Sequence, residues 1–200
     1  MNIKMKISLK LEAKSALVAL GGNLPSSVGE PGKTLTYAMA NLRLCTNSLM
    51  YRSRFFSTPC FPVGYGPDYV NGAVEFKFRG EANELLDILH EIEAMFGRAR
   101  DARWCGRVLD LDLLTFGDII APSLNGYAQW RDMPLSQQIQ QTPKEMILPH
   151  PRLQDRAFVL GPLMDIAPDW RHPVFGLTVR QMYGRLSAAD RDALRLMPEP

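Results

Sequence analysis

Between Ala16 and Phe116 the apolar residues switch between strand and helix periods in the order strand, helix, strand, strand, helix, strand. Ala16 to Leu20 is a short apolar run stopped by Gly21, Gly22, Asn23, Leu24 and Pro25. Past a loop with Gly29, Pro31 and Gly32, residues Leu35, Ala38, Met39 and Leu42 recur at helical spacing. An extended piece runs from about Met50 to Ser57. The clearest alternation follows from Tyr69 to Phe78, with Gly72, Val74, Phe76 and Phe78 on one face and Asn71, Ala73, Glu75 and Lys77 on the other. Leu85, Leu89, Ile92 and Phe96 then stripe a helix from about Ala82 to Phe96, closed by Gly97 as its C-cap, and Val108 to Phe116 is the last strand. This order predicts an α/β (α+β) fold with a ferredoxin-like split βαβ core. Such a sheet carries helices on one face and needs cover for the other; additional C-terminal elements are expected to make it a three-layer αβα sandwich.

The 200 residues, 46% of them apolar, fit a single domain spanning 1–200 with enough material for its core. Residues 1–14 read as a variable N-terminal extension, amphipathic or frayed, and 121–146 as a long excursion without a sustained period, containing Tyr127 and Trp130 and at most a short helix. The loop from Thr58 to Asp68 holds the rings of Phe61 and Tyr65. Phe158 to Leu163 has the apolar content of a short element. Thr178 to Leu186 and Ser187 to Leu196 read as terminal helices, the second with Ser187 and Asp190 as an N-terminal cap signal.

A formal charge of +2 gives no broad nucleic-acid-binding surface. Cys45, Cys60 and Cys105 have neither metal-ligand spacing nor an even count for disulfides, which points to a reducing compartment. The opening stretch is interrupted by Lys10, Glu12 and Lys14 before a signal-peptide core forms, and no run approaches the roughly 20 apolar residues of a membrane helix. A cytoplasmic protein with no membrane and no nucleic-acid partner is expected. A monomer is favoured, with weak oligomerisation left open.

The most informative local run is Leu109-Asp110-Leu111-Asp112-Leu113. On a strand, Asp110 and Asp112 share a face with Cα atoms about 6.6 Å apart, while the leucines point into a core. Magnesium takes hard oxygen ligands, often one or two aspartates completed by substrate phosphates and water. An exposed polar sheet face is the alternative. Arg98, Arg100, Arg103 and Arg107 precede the strand in a loop, and a phosphate-rich substrate would use both signs of charge. Local pairing, helped by Asp101, would also account for them. His150 lies between Pro149 and Pro151, with Arg152 and Arg156 following, so its ring is held either toward a ligand or onto a local carbonyl. Neither a complete Gly-x-x-x-x-Gly-Lys-Ser/Thr phosphate loop nor a Rossmann glycine fingerprint is present in the sequence. The residues alone support magnesium-dependent phosphoryl or nucleotidyl transfer to an unidentified acceptor.

Arg103-Trp104-Cys105-Gly106-Arg107-Val108-Leu109-Asp110-Leu111-Asp112 closely resembles the signature of the 6-hydroxymethyl-7,8-dihydropterin pyrophosphokinase family of folate biosynthesis. Gly21-Gly22-Asn23-Leu24, Asp68-Tyr69-Val70-Asn71, Leu148-Pro149-His150-Pro151-Arg152 and Arg156-Ala157-Phe158 extend the resemblance from Leu17 to Pro173. It implies an ATP:pterin diphosphotransferase in which Asp110 and Asp112 ligate two Mg²⁺ ions and ATP is the co-substrate. Arg98 and Arg107 would contact phosphates or close a loop, with Arg100, Arg103 and Lys144 as further phosphate-side residues. Glu93, an ordinary exposed helix position by its sequence alone, would order nucleotide contacts. His150 and Arg156 would bind the ATP side. Thr58, Pro59, Phe61, Tyr69, Asn71, Trp104 and Phe158 would form the pterin pocket, with Trp104 and Phe158 as opposing aromatic surfaces and the Asn71 amide at the heterocycle edge.

The chain departs from the family pattern at Gly22, where Ser is frequent, and at Cys105-Gly106, where Gly-Pro is commoner. The loop from Gly97 to Trp104 is one residue shorter than in a familiar bacterial version. Those departures leave loop closure open and keep an inactive pterin- or nucleotide-binding paralogue in view; an RNA-binding ferredoxin-like domain is a separate and weaker alternative, since the sheet has no persuasive stacking-strand signature and the charge is focused in one loop.

Overall fold

In the computed structural model, residues 12–60, 64, 66–97, 106–138, 140–141 and 143–198 are described. Six strands, β1 (Lys14–Gly22), β2 (Met50–Arg52), β3 (Phe56–Thr58), β4 (Tyr69–Phe78), β5 (Asp110–Phe116) and β6 (Arg195–Leu196), form one sheet. Its order is β5-β1-β4-β3-β6, with β2 also on β4, and every pairing is antiparallel. Helices α1 (Pro31–Thr46) and α2 (Ala82–Met95) connect the strands of the split βαβ core as expected.

Helices α1 and α2 cover one face, where Ala16, Val18, Leu20, Val74, Phe76, Leu111 and Leu113 meet Leu35, Ala38, Leu42, Leu85, Leu89 and Ile92. The other face takes α5 (Ala157–Ile166) and α6 (Val179–Arg185): Leu17, Ala73 and Leu114 pack with Val159, Leu160, Leu163, Val179 and Met182. The αβα layering follows from β1, whose consecutive residues Ala16, Leu17 and Val18 are all buried, because both sides of a middle strand are covered.

Three stretches differ from expectation. β1 continues through Gly22 instead of stopping at Leu20, since Gly21 and Gly22 pair with Asn71 and Val70. The run from Met50 to Ser57 is two strands. At the break, Ser53 gives its N–H to the Ala73 carbonyl at 2.9 Å, and its hydroxyl accepts the Ala73 N–H at 2.9 Å, so a side chain replaces a ladder carbonyl. Arg54 then turns outward and grips Asp165 of α5 through Nε at 3.0 Å and NH2 at 2.7 Å, fixing the bend to the second helical layer. The expected terminal helix from Ser187 shortens to α7 (Ala188–Asp192), capped by the Ser187 hydroxyl as predicted, and its remainder forms β6 on the edge of β3.

The excursion contains α3 (Leu124–Asp132) and α4 (Leu135–Gln138). Tyr127 of α3 is completely buried, with its hydroxyl 3.2 Å from Nε2 of the equally buried His172. This contact seats the excursion against the C-terminal segment. No helix among the described residues is long and apolar enough to cross a membrane.

Candidate active site

The carboxylates emerge from β5 on the face covered by α5, because Leu111 and Leu113 point into the core beneath α1 and α2. A β-bulge then changes the strand's phase. Leu17 lies opposite Thr115 and Val18 opposite Leu113, leaving Leu114 as the extra residue; its side chain joins the second core while Phe116 returns to the first. The His150 N–H donates to the Leu114 carbonyl at 2.8 Å, which holds the Pro-His-Pro segment against β5.

Sheet register lines up the rest. Asp110 pairs with Gly21, Gly21 with Asn71, and Asn71 with Phe56, so one row crosses four strands; Asp112, Ala19 and Ala73 form the next. Neighbouring strands lie about 4.8 Å apart, so Asn71 and Asp110 flank a gap of about 10 Å floored by a glycine. A Cβ on Gly21 would meet Asn71 Oδ1 at 3.6 Å. The absence of a side chain there opens the space between the carboxylate and the amide. The sequence predicts a strand stop at Gly21, whereas its site role depends on which residues flank it across the sheet.

Arg107 pairs with Asp110, and Arg156, at the start of α5, lies 4.0 Å from Asp112. Burial lowers the Arg107 pKa, but Asp110, assisted by Asp112 and Tyr69, carries it above its ordinary value. For Arg156 burial wins and the guanidinium falls below its ordinary value against the pull of Asp112. Tyr69 shares this field, its phenol raised by burial and opposed by Arg107. His150 is pushed down to about 3, first by burial and then by Arg156, so its imidazole is neutral at physiological pH. Its Nδ1 accepts the Arg152 N–H at 3.1 Å, leaving Nε2 to carry the proton as a donor.

On the β4 side, Asn71 is 5% exposed and donates through Nδ2 to Thr58 Oγ1 at 2.9 Å. Phe158 is 39% exposed, with the Arg156 guanidinium 5.5 Å from its ring centroid, which makes it a surface ring beside the site instead of a core residue. Pro59 and Lys144 are exposed; Pro59 follows directly on Thr58, and Lys144 lies on the segment leading to Leu148. Phe61, Arg98, Arg100, Arg103 and Trp104 lie outside the described residues.

Glu93 corrects an expectation. It is 1% exposed, and its Oε1 accepts the Leu111 N–H at 2.7 Å. β5 is the sheet edge, so this amide points away from β1, and the helix carboxylate supplies the missing acceptor. Glu93 thereby holds the backbone between Asp110 and Asp112. A separate cleft of about 630 Å³ at the far end of the sheet, lined by Ser15, Tyr51, Glu75 and Arg79, contains none of these site residues.

Residues 17–168 match the family model for 7,8-dihydro-6-hydroxymethylpterin-pyrophosphokinase (HPPK). The chain belongs to that family. It is similar to the 2-amino-4-hydroxy-6-hydroxymethyldihydropteridine pyrophosphokinase of Synechocystis, with 37% identity over 86% of this chain and 75% of that protein. The Pseudomonas aeruginosa enzyme of the same name is 38% identical over 78% of this chain and 82% of its own length. In fold, the chain resembles Plasmodium falciparum HPPK-DHPS, with a TM-score of 0.58 and 15% identity over 89% of this chain; it spans 44% of that longer chain. As an HPPK, the protein is a pyrophosphokinase that transfers diphosphate from ATP to the reduced hydroxymethylpterin.

Proposed function

We propose that the row formed by Asp110, Gly21 and Asn71, with Asp112 and Arg156 beside it, is where this HPPK brings ATP and the pterin together. The observation that carries the proposal is this register. It sets a carboxylate pair and a buried amide on opposite sides of a glycine-floored gap, under the start of α5.

The donor chemistry fits magnesium. Asp110 and Asp112 offer hard oxygens from one strand face, while no group of three or more His, Cys, Asp or Glu residues among the described ones could form a complete protein cage. That favours an ion completed by phosphates and water. Asp110 and Asp112 would hold two Mg²⁺ ions, which neutralise phosphate charge and polarise the transferring group. Around them the chain's own groups orient the reactants. Arg107 and Arg156 turn from the carboxylates toward phosphate oxygens, and His150 donates from Nε2 to the nucleotide. Asn71, steadied by Thr58, presents its amide to the pterin edge, with Tyr69 and Phe158 beside the ring. The pterin hydroxymethyl oxygen forms a bond to the β-phosphorus, the bond from that phosphorus to the oxygen bridging to the α-phosphate breaks, AMP leaves with that oxygen, and the hydroxyl proton passes to solvent.

Incubation with ATP, Mg²⁺ and 6-hydroxymethyl-7,8-dihydropterin is expected to yield AMP and the pterin diphosphate in equal amounts. Production of ADP would sink the β,γ-diphosphate assignment. Arg156→Ala removes a charge-assisted contact worth about 1.5–3 kcal/mol and is expected to raise KM for ATP by roughly 10- to 100-fold, with KM for the pterin little changed. An unaltered KM for ATP would remove Arg156 from the nucleotide side.

A further inference from the structure

We infer that Asn23 is a positioning residue that ties the two loops flanking the site to one another. The inference rests on the pyrophosphokinase reading for its kinetic consequences and on hydrogen-bond geometry for its existence. Asn23 is 2% exposed, in the turn that follows β1. Its Oδ1 accepts the Arg107 N–H at 2.7 Å, and its own N–H donates to the Arg107 carbonyl at 2.8 Å, joined by the Leu24 N–H at 3.2 Å. From the other end of the amide, Nδ2 donates to the Pro67 carbonyl at 3.0 Å. One side chain thus reaches the segment that carries Arg107 toward Asp110 and the segment that leads from Thr58 into Tyr69.

The neighbourhood leaves little room for another arrangement. A Cβ on Gly106 would lie 2.8 Å from Asn23 Oδ1 and 2.7 Å from Leu24 Cγ; one on Gly22 would lie 2.6 Å from the Val108 carbonyl oxygen. The glycines at these two departures from the family pattern therefore let the turn after β1 close against the segment before β5. Neither Arg107 nor Pro67 lies in a helix or strand, so side-chain-to-backbone bonds such as these hold both segments to the sheet. A primary amide has both a donor and an acceptor, and Asn23 uses one for each loop. A carboxylate of the same size keeps only the acceptor.

The two functions of the amide separate in two variants. Asn23→Asp retains the Arg107 arm and loses the Pro67 arm; it is expected to raise KM for the pterin roughly tenfold, leaving KM for ATP within about twofold, the loss of one buried hydrogen bond. Asn23→Ala loses both arms and is expected also to lower kcat at least tenfold, because Arg107 is no longer held beside Asp110. A purely structural role would lower the melting temperature of both variants without splitting KM from kcat, and that result overturns the inference. Should either variant fail to fold, amide exchange in the wild-type protein decides: the Arg107 and Leu24 amides are expected to exchange at least about tenfold more slowly than in an unstructured chain. Exchange of Arg107 at the unprotected rate overturns the inference too. A wild-type protein making no AMP would instead refute the pyrophosphokinase reading, leaving the amide measurement to judge Asn23.

Discussion

Asp110→Asn and Asp112→Asn are each expected to reduce kcat by ~10²–10⁴-fold at saturating Mg²⁺, the equivalent of several kcal/mol of transition-state charge stabilisation. Asn matches Asp in shape and keeps one oxygen, so packing on β5 is preserved while the charge is lost. The two sites are not equivalent. The Asp110 side chain is 19% exposed and pairs directly with Arg107, whereas Asp112 is 37% exposed with Arg156 at 4.0 Å. Asp110→Asn takes the carboxylate charge away from its direct Arg107 partner, so it should combine the larger catalytic loss with a higher Mg²⁺ requirement. Asp112→Asn relieves less local charge and should act mainly on the Mg²⁺ dependence of kcat. Steady-state rates across a Mg²⁺ titration distinguish these effects, with nucleotide binding measured separately by calorimetry. Ordinary turnover by both variants would remove the carboxylate pair from the mechanism.

The second large effect concerns stability. Tyr127→Ala is expected to cost about 3–5 kcal/mol, the usual cost of emptying the site of a fully buried ring. Tyr127 belongs to a cluster in which His172 lies 4.4 Å from the Phe175 ring and 5.7 Å from Trp170, while the Arg131 guanidinium sits over Tyr127 and Phe175 at 6.0 and 5.6 Å. The His172 Nδ1 accepts the Val174 N–H at 3.2 Å, so Nε2 carries the ring proton and donates to the Tyr127 oxygen. Tyr127→Phe keeps the ring but leaves that buried donor unmade, at a cost of about 1–3 kcal/mol. Urea unfolding followed by circular dichroism measures both, and a loss below 1 kcal/mol for the Ala variant would contradict the packing described.

The same cluster makes stability depend on pH. Burial, with Arg131 adding to it, lowers His172 from its ordinary 6.5 to about 4. The unfolded chain binds the proton below about 6.5, and the native state resists it until about 4. The stabilisation is therefore complete above the higher value and is lost as pH falls through this window, at most about 1.4 kcal/mol per pH unit. His150, held near 3 at the site, adds a loss of the same sign that also begins below about 6.5 and continues down to about 3. Unfolding midpoints between pH 7.5 and 4.5 should fall in wild type, and less steeply in His172→Gln.

Which features were legible depended on whether their cause was local. The strand Tyr69–Phe78 has its expected limits because period-two alternation is imposed by neighbours in the chain, and α2 ends before Gly97 as expected because that glycine adopts φ 81°. Asp110 and Asp112 could be read as one-faced for the same reason. Glu93 could not, since its burial depends on an edge-strand amide from Leu111 that helical spacing never reveals. The break at Ser53 was equally invisible: its hydroxyl replaces a carbonyl opposite Ala73, 20 residues further along. Tyr127 carried no periodic signal because its partner is His172, 45 residues away.

The order of elements, the shared face of the carboxylates and the family motifs were thus determined by the sequence, because each rests on steric and hydrophobic preferences that act over a few residues. Tertiary structure alone decided that Gly21 floors the gap between Asp110 and Asn71, that Glu93 holds the strand between the aspartates, and that Asn23 spans two loops. Those roles are set by hydrogen-bond partners and sheet register between distant segments, which exist only once the chain has closed on itself.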